Sequence, residues 1–74
     1  MAYDVIVKHW VRGERKPVVE EVAKFRDSYD AEPYAKWLAG DVHRQGPIGD
    51  RVEVIMLDSA SVVQWSSGEI KVRG

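Results

Sequence analysis

The run Arg51-Val52-Glu53-Val54-Ile55-Met56-Leu57 constrains the fold more than any other stretch. Its apolar residues occupy both faces of an extended chain: Val52, Val54 and Met56 on one, Ile55 and Leu57 on the other. Such a strand belongs in the middle of a sheet, covered on two sides. The chain has 74 residues and one clear helical segment, so something else must account for the second face. A chain this short buries only about 60% of its extended surface, which leaves a thin stability margin. It contains no cysteine, and so no disulfide or thiolate metal site to reinforce a small core.

The rest of the chain arranges itself around that strand. Residues 3–12 read as a first strand (β1), with Tyr3, Val5, Val7, His9 and Val11 on one face and Asp4, Ile6, Lys8, Trp10 and Arg12 on the other. Gly13 to Pro17 is a turn; residues 17–26 suit a helix by their Glu, Ala and Lys content, but their valines and the close preceding strand favour a return as a second strand (β2), with a bulge at Glu20-Glu21. A helix (α1) starts at Ser28-Tyr29-Asp30, with Asp30 as N-cap and Pro33 in its first turn. Tyr34, Trp37, Leu38 and Val42 form its apolar stripe, expected to pack on Val5, Val7, Val54 and Phe25. After the Gly- and Pro-rich segment 45–50 come a third strand (β3, 51–57), a fourth (β4, 62–65) and a short terminal one (β5, 69–73). The expectation is a single α+β domain over residues 1–74. It is a ββαββ chain forming an antiparallel four-stranded sheet, order 2-1-3-4, with one helix packed on one face.

Chemistry finds little footing. His9 and the pair Asp41/His43 lack ligand spacing, and a solvated His43 near a helix C-terminus explains the latter better than a metal does. Asp27, Asp30 and Glu32 flank a helix start, where negative charge is stabilising. No glycine-rich loop precedes that helix, and the serines at 59, 61, 66 and 67 fall in turns. The expectation is a protein that is not an enzyme, with no cofactor, no metal and no small-molecule substrate.

Binding has more support. With the Val5/Val7 face under the helix, Ile6, Lys8, Trp10 and Arg12 share the open face, and Trp65 joins them if the register allows. An indole pair beside aliphatic residues there would exceed the scattered apolar exposure of a monomer, and Trp and Arg are enriched at binding hot spots. Ile6, Lys8, Trp10, Arg12 and Trp65 are therefore the expected partner-binding residues, for a protein partner or a second copy of the chain. The competing reading has residues 70–73, or the 46–50 loop, fold over this face and bury it. Nucleic acid is the alternative partner. Residues 1–26 carry a charge of +2, so Lys8, Trp10, Arg12, Lys24 and Arg26 could hold phosphates and stack bases. A net charge of −1 and the low aromatic density of the hairpin weigh against it.

The run VVEEVAKFRDSYDAEPYAKWLAGD, with Phe25 ending a strand and Ala31, Tyr34, Ala35 and Leu38 on a helix, resembles small accessory proteins of actinobacteriophages. The resemblance spans about a third of the chain and rests on style and on a composition rich in GC-coded residues, without Asn or Thr. It implies a short non-structural protein that acts by binding, often on a host component, and it transfers no site residue. The start MAYDVIVK lacks a signal peptide's apolar run, and no stretch approaches the ~18 apolar residues of a membrane span. The expected location is cytoplasmic, in the host cell if the protein is phage-encoded.

Overall fold

The computed structural model describes residues 2–44 and 46–73. Its elements are β1 (Tyr3–Trp10), β2 (Val18–Phe25), α1 (Ser28–Asp41), a 3-10 turn (Val42–Arg44), β3 (Arg51–Leu57), β4 (Val63–Ser66) and β5 (Ile70–Lys71). The sheet is antiparallel in the order β2-β1-β3-β4, and β5 also pairs with β3. One helix lies across one face, giving the α+β architecture expected from the sequence. No helix among the described residues is long and apolar enough to cross a membrane.

The helix docks through small residues. Ala31, Ala35, Leu38 and Val42 are its buried positions, and they meet Val5, Val52, Val54 and Met56 of the central strands. Two alanines in the contact let the helix approach the sheet closely. Trp37, expected in the core, is instead 63% exposed. At 3.6 residues per turn it lies ~100° round the helix from Leu38, off the buried stripe. It rests on Tyr34, which rests on Phe25, with ring centroids 5.8 and 5.3 Å apart. The helix also begins earlier than expected: Asp27, in extended backbone, accepts the Asp30 N–H at 3.0 Å and is the N-cap. Pro33 consequently falls inside the helix rather than in its first turn.

The C-terminal segment finishes the core, but on the helix side. Val72 is 1% exposed within the main cluster, and Ile70 sits opposite Val52. Backbone bonds weld this segment to the preceding loop: Val72 N–H to the Asp50 carbonyl at 2.9 Å, Gly49 N–H to the Val72 carbonyl at 3.3 Å, and Arg73 N–H to the His43 carbonyl at 2.9 Å. Gly49 holds φ +99°, and a Cβ there would stand 3.1 Å from Cδ of Arg12, so both backbone and space call for glycine. Among the described residues, Ile70 and Val72 of this tail pack with the helix-side core and not over the opposite sheet face. That reading of the sequence placed the right segment on the wrong side.

Candidate binding edge and cleft

Register decides which residues share a face. His9, Val7, Val5 and Tyr3 stand opposite Val18, Glu20, Ala23 and Phe25 on the helix side, while Lys8, Ile6 and Asp4 oppose Val19, Glu21 and Lys24 on the open side. Val22 has no counterpart on β1 and forms a bulge, one position on from the expected Glu20-Glu21. On the other flank of β1, Ile6 opposes Ile55, Lys8 opposes Glu53 and Trp10 opposes Arg51.

Of the five residues expected to form one binding surface, the structure groups three. Ile6, Lys8 and Trp10 share the open face. Trp65 does not: it stands opposite Met56 and packs against the helix-side core. The cause is local. The Asp58 carboxylate accepts the N–H groups of Ala60 and Val62, each at 2.9 Å, and a register shift between Met56 and Leu57 sets the parity of β4. Arg12 lies beyond the end of β1, its backbone N–H bonded to Asp50 and its side chain passing over Gly49.

The open face carries charges around Ile6 and Ile55, most of them paired, though Lys8 makes no ion pair among the described residues. Lys24 Nζ lies 3.8 Å from Asp4 and 3.7 Å from Glu21. Arg51 reaches Glu69 at 3.0 Å while its guanidinium sits 5.4 Å from the Trp10 ring centre. Ser66 donates its hydroxyl hydrogen bond to Glu53. Ile55 is buried among these neighbours. Trp10 is half-buried under Arg51 rather than bare, so this face is less apolar than the sequence implied.

Three of the exposed apolar residues lie together along β2. This strand of eight residues is the edge of the sheet, and Val18, Val19 and Val22 on it are 63%, 55% and 41% exposed. An exposed edge presents unpaired N–H and C=O groups to any strand that can align with them. On its helix side runs a cleft of about 220 Å³, formed by Val7, Val18, Val22, Leu38, Val42 and Val52 with His9 and Glu20 beside them. The Glu20 carboxylate makes no ion pair or hydrogen bond among the described residues.

His9 is fixed at one end of this cleft. Its Nε2 lies 2.7 Å from Oδ2 of Asp50, whose Oδ1 accepts the Arg12 N–H at 2.9 Å. Asp50 is 2% exposed. The Arg12 N–H, and then the His9 ring, hold its carboxyl below the usual carboxylate range, against the opposing effect of burial. The sequence offers Asp41 and His43 as company for His9, but its partner is Asp50, 41 residues away in a loop, where no periodicity reveals it. Among the described residues, no three His, Asp or Glu side chains converge to hold a metal ion. Glu20 carried a signal only as a break in alternation. No known protein family, curated protein or solved structure matches the chain.

Proposed function

We propose that this protein is an interaction module that binds an extended segment of a partner protein by adding it as a strand to β2. The observation that carries the reading is a long edge strand with three exposed valines running beside an apolar cleft. In strand addition, main-chain hydrogen bonds supply affinity and pockets for alternate side chains supply specificity. Here the edge offers the first and the cleft the second. The resemblance to phage accessory proteins that act by binding agrees with this reading. The open face around Trp10 supports it less well, because Trp10 is half-buried under Arg51 and both Lys24 and Arg51 there are already paired.

The test is affinity capture from a lysate of the source cell, with the wild-type chain, Val19→Lys and Trp10→Glu compared by mass spectrometry. A lysine on an edge strand resists pairing. A protein retained by the wild type and by Trp10→Glu, but lost by Val19→Lys, is the expected result. Loss with Trp10→Glu and retention with Val19→Lys would move the interface to the open face.

A further inference from the structure

The cleft has an uneven chemistry that narrows what it can receive. Its walls are aliphatic: Val7 from β1, Val18 and Val22 from β2, Leu38 and Val42 from the helix end. Its polar groups are the Glu20 carboxylate, without a partner among the described residues, and the His9 ring, anchored on the buried Asp50 carboxylate. No lysine or arginine lines it. An acidic guest would face Glu20 and gain no fixed cation. A purely aliphatic guest would gain nothing from Glu20, which is exposed and whose carboxylate has no partner among the described residues. A basic side chain satisfies both demands, because Lys and Arg lay an apolar stem along apolar surface and present a charged head at its end.

We infer that the cleft is the pocket for a lysine or arginine side chain of the incoming strand, its stem against Val7, Val18, Leu38 and Val42 and its cationic head on Glu20. Glu20 opposes Val7 in the β1–β2 register and so faces the helix side. A residue added across from β2 on that side points toward the same cleft. Neighbouring Val18 and Val22 would then favour aliphatic partners flanking the basic residue. The inference rests on strand addition at β2, yet the cleft can be tested without any strand.

The probe is n-butylammonium, which reproduces a lysine side chain, titrated into the intact protein at neutral pH and followed by methyl NMR of Val7, Leu38 and Val42. Uncharged n-butanol and anionic butyrate are the comparators. Butylammonium is expected to bind roughly twofold to fivefold more tightly than butanol, the range of a partly exposed ion pair. Butyrate should be weakest, and Glu20→Gln should remove the preference while leaving butanol binding unchanged. Equal binding of butanol and butylammonium would make the cleft a plain aliphatic pocket, and preference for butyrate would assign it to acidic groups through His9. Either result overturns the inference, as does the absence of shifts at these methyls. Strand addition would survive all of these outcomes, since the capture comparison with Val19→Lys tests it separately.

Discussion

The two long edges of the sheet are built on opposite principles. On one flank of β3 the chain offers two short strands, β4 of four residues and β5 of two. Ser67 between them is tied to Val54 through both its N–H and its hydroxyl. Beyond β5, Val72 is buried and the loop carrying Asp50 is bonded to it. This flank is short and interrupted, although Val63 on β4 is exposed. The other flank is β2, eight residues long, paired with β1 on its inner side except at the Val22 bulge and without a strand on its outer one. Proteins commonly blunt an edge by shortness, bulges or charge. Here β2 keeps its length and has the last two devices, the Val22 bulge and the charges Glu20, Glu21 and Lys24. Those charges discourage indiscriminate pairing and would favour strands of complementary charge. The contrast places the buried tail on one side of the molecule and, under the proposed strand addition, recognition on the other.

Substitutions can break this contrast, beginning with the side of the buried tail. Val72→Asp would bury an unpaired carboxylate in the main cluster, and most of the chain should be unfolded by far-ultraviolet circular dichroism. A folded Val72→Asp chain would show that the tail is dispensable. Leu38→Ala removes the largest helix side chain of the core and should cost about 2–5 kcal/mol in urea unfolding. An unchanged midpoint would mean that the helix presents another face to the sheet.

Asp50 gives the corner beside that tail a pH signature. Its folded-state pKa lies below the ordinary value of 3.8, so its contribution to stability is present above that value. It is lost as pH falls through the folded-state pKa. Wild-type stability should therefore decline on acidification below about pH 4, and Asp50→Asn should be less stable at neutral pH with a shallower acid decline. Equal acid slopes for the two proteins would show that the corner does not depend on this carboxylate.

Smaller effects are expected away from the core. Trp37→Ala should cost less than about 1 kcal/mol, since the ring is exposed and touches mainly Tyr34. A loss approaching that of Leu38→Ala would restore Trp37 to the core. Val19→Lys should change stability by no more than about 0.5 kcal/mol, because surface substitutions seldom do more. A larger loss would mean that β2 is covered and not open.

The sequence made the strand order legible because β3 is apolar on both faces and β1 nearly so. It made the helix legible as an element but not its rotation. Trp37 and Leu38 are adjacent, and large apolar residues suggested a stripe that the alanines at 31 and 35 actually occupy. Trp65 was lost for a related reason: the side it faces depends on the turn at Asp58 and a shift in register, neither visible as periodicity. Two parts of the binding region, the His9–Asp50 contact and the cleft, arise from residues far apart in the chain. The exposure of β2 follows from its place in the strand order, which is readable, whereas Trp10 and Trp65 point the sequence reading to the open face.

Selection from a display library of random extended peptides, with binders retested on Val19→Lys and Trp10→Glu, measures the central claim most directly. Strand addition at β2 requires enriched peptides that alternate, with aliphatic residues flanking a lysine or arginine, and that lose affinity for Val19→Lys while binding Trp10→Glu normally. Peptides without that alternation, bound equally well by Val19→Lys, or peptides released by Trp10→Glu alone, would contradict it.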